Sequence, residues 1–285
     1  MKKKLLVSLT VLVLVILPFL ISIAISRNSP YVETNSFQTY VIICTAISIA
    51  IVSMVLLRLK YYPKPYEGNI ISGVLLFLIL CPLIGIFGLA TAPDVSVKML
   101  KHPEREHLRY IFEFLAAILF GASIVILLMS NSLQIKKSTK WVMTFILFVA
   151  FAEFIWEFYH HYLYPEGLME WVAEGKNAEE FSKNYDSTTI LNIGVIGRYF
   201  QFILIIWLSF HLYKLRQIKI WCPIINTIFS ILGIASATIV YITGFPFPKG
   251  LEFFLLFFIP GIPFFLLYWL GVALLTNYEK SEIAT

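Results

Sequence analysis

Two glutamates and a histidine stand in a stretch of sequence that is otherwise almost wholly apolar, and they stand at helical spacing. Glu153, Trp156, Glu157, His160 and Tyr164 follow one another at steps of 3, 1, 3 and 4 residues, which lays them along one face of a helix. Read from the middle to the end, that face is carboxylate, carboxylate, imidazole. Glu113 lies in one neighbouring apolar stretch and Arg198 in another. Glu113, Glu153, Glu157 and Arg198 are the formal charges set well inside hydrophobic segments, where each costs about 2.5–3.5 kcal/mol to insert. Charges kept at that cost face protein or water and ordinarily have a role.

Three chemistries suit this set. The first is a proton or cation relay through Glu153, Glu157 and His160, with Arg198 fixing the charge state of the carboxylates. The second is a divalent metal. Glu157-x-x-His160 has the i, i+3 spacing of carboxylate metal sites in helical bundles, and Glu104-x-x-His107 repeats it, with Glu113 and Glu153 to complete the ligand set. The third is general-base catalysis by a glutamate on a lipid-linked or extracytoplasmic substrate, with Arg198 holding a phosphate or carboxylate. Catalytic roles therefore fall on Glu113, Glu153, Glu157 and Arg198, and metal ligation on Glu157 and His160. The structural alternative is that Arg109 pairs with Glu113 four residues on and that Arg198 neutralises Glu153 to hold two helices together, as polar side chains do in membranes.

Nucleophile chemistry has no comparable signal. The chain holds no G-x-S-x-G, no H-E-x-x-H and no P-loop. Ser123 after Gly121-Ala122 reads as helix packing. Cys44, Cys81 and Cys222 fall in or at the edges of apolar segments without a C-x-x-C, so they imply no disulfide framework.

The elements that must carry these residues are membrane helices. Of the 285 residues, 59% are hydrophobic, more than a soluble body of this size could cover. Eight apolar segments, at about 5–26, 40–57, 70–92, 108–129, 141–161, 188–212, 220–243 and 253–275, each approach the ~20 residues that a helix needs to cross a bilayer. The length and the lack of apolar/polar alternation exclude a β-barrel. The expected fold is all-α: a single integral membrane domain spanning 1–285, a polytopic bundle of eight transmembrane helices with no soluble catalytic domain.

Loop charge orients the bundle. One set of loops holds Lys2, Lys3, Lys4, Arg58, Lys60, Lys64, Lys136, Lys137, Lys140, Lys214, Arg216, Lys219 and Lys280 against Glu67, Glu279 and Glu282. The other set is acidic or mixed. The positive-inside rule puts the first set and both termini in the cytoplasm. The net charge of +5 is then topogenic, and nucleic acid is not an expected partner. Lys2–Lys4 and the run ending in Ser22-Ile23-Ala24 also fit a cleaved signal peptide, but Pro18 and the length of the run favour a retained helix. Cleavage would leave seven helices in the same orientation.

At 1.5 Å per residue, Glu113 lies about 8 Å below the outer interface, Glu157 about 6 Å, Glu153 about 12 Å and Arg198 about 15 Å. All four occupy the outer half. Above them, 164–187 is acidic, with Leu168, Trp171 and Val172 on one face of a short helix and Asn177-x-x-Glu180 opening another. That segment reads as interfacial or as a lid. Pro260-Gly261-Ile262-Pro263 breaks the last span near mid-membrane, and carbonyls freed there can line a site.

The sequence thus predicts a multi-pass protein of the prokaryotic plasma membrane with an outward-facing Glu/His/Arg pocket. The leading expectation is an enzyme acting on a lipid or lipid-linked substrate at the outer leaflet. A proton- or cation-coupled small-solute transporter and a non-catalytic accessory or sensor subunit are the alternatives. Beyond the bilayer itself, the implied partner is a lipid-linked or small-molecule ligand.

Overall fold

A computed structural model describes residues 12–16, 37–61, 78–85, 88, 95–130, 133–245 and 247–276. The first and third predicted spans and both termini fall largely outside them. All regular structure among the described residues is helical. The helices are α1 (Phe37–Tyr61), α2 (Pro103–Met129), α3 (Lys137–Tyr162), α4 (Tyr164–Ala173), α5 (Ala178–Tyr185), α6 (Thr188–Lys214), α7 (Trp221–Thr243), α8 (Leu255–Phe258) and α9 (Gly261–Thr276).

Four of them are long and apolar enough to cross a membrane: α2, α3 run on into α4, α6 and α7. Residues Glu252–Phe258 and Gly261–Leu275 meet at 62° and make a fifth span if taken together. The described residues are therefore all-helical in their regular structure, with four to five candidate membrane spans among them. The faces turned away from the bundle are apolar. Ile111, Leu115 and Ile118 on α2, Phe145 and Phe148 on α3, and Ile224, Ile228 and Ile231 on α7 are all exposed. The buried set includes Glu113, Glu153, Arg198, Gln201, Ser209 and Asn226. A soluble protein would pay for that arrangement in exposed apolar area, whereas lipid favours it.

Short connections make consecutive helices neighbours. The main contacts run α2 to α3, α3 to α6 and α6 to α7, while α9 lies against α7, α6 and α2. The core between them is aromatic. Phe154 sits in edge contact with Phe120 at 5.3 Å and stacks on Phe264 at 4.9 Å between ring centres.

Local chemistry explains where the helices start and bend. Pro103 opens α2 in its first turn, with Glu104 and Glu106 on the favourable end of the helix dipole. The break before α9 follows from Pro260, which forces the preceding Ile259 to an extended ψ of 136°. At the end of α3, Leu163 keeps a helical backbone and hands the chain to α4. Gly175 then turns it with φ at +78°, a conformation that favours glycine. Asn177 caps α5 by accepting a hydrogen bond from the Glu179 amide at 3.1 Å.

Candidate functional site

Arg198 is completely buried and its guanidinium is surrounded by acceptors. Its Nη1 donates to Glu153 Oε2 at 3.1 Å and to Gln201 Oε1 at 2.9 Å. Its Nη2 donates to Glu157 Oε2 at 2.6 Å, and its Nε to the carbonyl of Phe258 at 2.9 Å. Three elements thus meet at one cation. Helix α3 supplies both carboxylates, α6 supplies Arg198 and Gln201, and the end of α8 supplies a carbonyl that the Pro260 break leaves without a helical partner. The rings of Phe154 and Phe258 flank the guanidinium at 5.4 and 5.5 Å.

Close approach of α3 and α6 makes these contacts reachable. Gly197 lies directly opposite Glu153, and a Cβ placed on it would come within 2.0 Å of Glu153 Cγ. Only the absent side chain lets the two backbones draw near enough for the ion pair. Gln201 completes the arrangement by donating from Nε2 to Glu153 Oε2 at 2.5 Å and to the Ala150 carbonyl at 3.2 Å.

Glu113 stands apart from this network. It is 0% exposed, and neither carboxylate oxygen has a hydrogen-bond partner. The Arg109–Glu113 pair considered from sequence is not formed. Arg109 instead turns its Nε to Glu106 Oε2 at 2.8 Å and Nη1 to the carbonyl of Gly88. The reason is reach: the i, i+3 carboxylate takes Nε of the guanidinium while the Gly88 carbonyl takes Nη1. Glu113 still lies within electrostatic range of Arg109, Glu157 and Arg198.

His160 points elsewhere as well. Its Nε2 lies 3.1 Å from Asp186 Oδ1, and its ring stacks between Trp156 at 5.5 Å and Tyr185 at 4.2 Å. Glu104 pairs with His102 at 3.1 Å, and His107 lies 2.9 Å from Glu166. The two E-x-x-H pairs thus do not converge, and no group of three His, Cys, Asp or Glu among the described residues is placed to hold a metal ion.

The α4–α5 hairpin covers this end of the bundle. Leu168 and Phe181 bury themselves with Met99 and Tyr164, and Tyr185 donates from its hydroxyl to the His160 carbonyl at 2.6 Å. Burial, then the neighbouring Asp186 and Glu166 carboxylates, push the Tyr185 phenol up to about 12. The hairpin is fastened to α2 by His107–Glu166 and to α3 by His160–Asp186.

The core beside this centre packs Phe120, Phe154 and Phe264 against one another, each at most 1% exposed. The core also holds a polar group absent from the sequence reading. Asn226 donates to Ser209 Oγ at 2.8 Å and to the Leu266 carbonyl at 3.3 Å. Cys81 donates to the Ala116 carbonyl at 3.2 Å and Ser123 to that of Phe120 at 2.8 Å, both as packed core groups. No protein-family model, curated protein or solved structure matches this chain.

Proposed function

We propose that the protein is a multi-pass carrier of the cell membrane that couples proton binding at its outer face to movement of a small solute. The observation that carries this reading is the convergence on Arg198 of two carboxylates from α3 and a freed carbonyl from the broken last span. A proton added to Glu157 or Glu153 turns a charged acceptor into a neutral acid and removes one ion pair from the guanidinium. The same guanidinium holds the carbonyl at the 62° break. Protonation is thereby linked to a break already shaped as a hinge.

Arg198 is spent on internal partners. Its Nε, Nη1 and Nη2 all donate within the protein, which disfavours a role in gripping a substrate phosphate. The set Glu106, Glu113, Glu153, Glu157, Arg109 and Arg198 has four carboxylates to two guanidiniums. An acid excess in an apolar surround favours taking up a cation, and the proton is the smallest one.

A second reading, an enzyme acting on a lipid at the outer leaflet, is favoured by one feature. The buried polar pair near the other ends of α6 and α7, Ser209 and Asn226, is uncharged, so the described buried charge gathers towards the hairpin, as suits a site used from one side. Purified protein in liposomes separates the two. Under an imposed pH gradient, wild-type protein accumulates a solute from a panel of amino acids, sugars and organic acids, and Glu157→Gln loses most of that uptake. If the panel shows no gradient-driven uptake while wild-type protein converts a phospholipid and Glu157→Gln does not, the carrier reading gives way to the enzyme.

A further inference from the structure

We infer that Glu113 is a separate proton-binding site, seated on α2 against Gly88, which takes up and releases a proton as part of the working cycle. The inference rests on the proposed proton coupling and locates a residue at which the proton resides.

Glu113 is an acid without a hydrogen-bond partner. Arg198 pairs with Glu153 and Glu157, and Arg109 with Glu106. Glu113 is just as buried, yet both of its oxygens lack a donor. A carboxylate ion so placed would forgo solvation and hydrogen bonding together, a loss that a bound proton removes by making the group neutral. Among the described residues, the ionisable groups around it limit the alternatives. Arg109 and Tyr110 face it from its own helix, Cys81 from the 78–85 helix, Glu157 from α3 and Arg198 from α6. Glu157 is an acid, Tyr110 and Cys81 are neutral, and the guanidiniums are bonded to other groups.

Space fits a proton better than a metal cation. A Cβ on Gly88 would come within 1.9 Å of Glu113 Oε1 and 2.9 Å of its Cγ. The carboxyl therefore lies close against Gly88, and among the described residues no group of three His, Cys, Asp or Glu is placed to supply the six or so ligands that a hard cation needs. Gly88 serves twice, because its carbonyl also holds Arg109. The guanidinium is kept one turn from Glu113, close enough to be felt and too committed to bond.

Dicyclohexylcarbodiimide tests this on the intact protein in liposomes. The apolar reagent adds to a protonated carboxyl. The acid proton passes to a carbodiimide nitrogen and the carboxyl oxygen bonds to the central carbon. The resulting O-acylisourea rearranges to a stable N-acylurea that peptide mass spectrometry locates. The expected result is modification of Glu113 that declines as pH rises and is unchanged when choline is replaced by sodium. Gly88→Ala, which puts a methyl where the carboxyl rests, lowers the modification. The inference is overturned if Glu113 stays unmodified while Glu153 or Glu157 reacts, if modification is flat with pH, or if sodium protects. Wild-type labelling decides the matter even if Gly88→Ala fails to fold. Proton-driven uptake with Glu113 unmodified sinks this site alone; Glu113 modified without any such uptake sinks the carrier reading alone.

Discussion

Arg198 concentrates more of this protein's electrostatics than any other described side chain. Its acceptors come from three elements, and two of them are carboxylates that would otherwise confront each other across one helical turn. Removing one partner of a buried ion pair leaves an uncompensated charge, which costs about 3–5 kcal/mol where it has been measured. Arg198→Met is expected to lower the thermal unfolding midpoint in detergent sharply. Adding Glu153→Gln and Glu157→Gln to it should recover much of the loss, because the orphaned charges go with the cation. Equal midpoints for the single and triple variants would mean that the pairs contribute little. The pairing itself was legible in the sequence, since one cation and two acids in neighbouring apolar stretches have few other partners. The Phe258 carbonyl was not. The Pro260 break announces freed carbonyls, but their direction depends on the angle at which the chain resumes. His160 went astray for a related reason: its spacing placed it beside Glu157, while the partner that claims it, Asp186, arrives from a hairpin 26 residues on.

At the level of elements, the site depends on how closely α3 and α6 approach, and two glycines a turn apart on α6 differ in what they allow. A methyl on Gly197 would collide with Glu153 at Cγ and Cβ, at 2.0 and 2.4 Å. A methyl on Gly194 would meet Phe258 Cζ at 3.8 Å and Glu153 Oε1 at 3.9 Å, both ordinary contacts. Gly197→Ala should therefore push the helices apart, with an overpacking cost of about 1–3 kcal/mol and loss of any Glu157-dependent activity. Gly194→Ala should be neutral or raise stability by about 0.5–1 kcal/mol through better helix propensity. Matched unfolding curves in detergent check the pair, and equal destabilisation by both would contradict the geometry. Both positions are glycine in the sequence, which does not rank them, because the ranking is set by helix rotation and not by residue type. Helix α5 was more legible: Asn177 caps it as its residue type suggests. The Asn226–Ser209 pair was illegible, since isolated neutral polar residues in apolar segments carry no sign and no obvious mate.

Over the whole molecule, charge divides the bundle into two unlike ends. Lys136, Lys137, Lys140, Lys214, Arg216 and Lys219 flank the α2–α3 and α6–α7 turns, and no Asp or Glu accompanies them there. At the other end the α4–α5 hairpin carries Glu166, Glu170, Glu174, Glu179, Glu180 and Asp186 against Lys176 and Lys183. Basic loops are retained on the cytoplasmic side during insertion, whereas acidic ones have little say. The basic turns should then be cytoplasmic and the hairpin external, which places Arg198 and its carboxylates within reach of the outside. Single cysteines in a cysteine-free background provide the check. In intact cells, a membrane-impermeant maleimide should label a cysteine at Glu174 and spare one at Lys137; after lysis both should react. The reverse pattern would turn the charged centre towards the cytoplasm. Proton entry from outside would then have to pass the end of the bundle that holds Ser209 and Asn226, and the proposed direction of coupling would fail with the orientation.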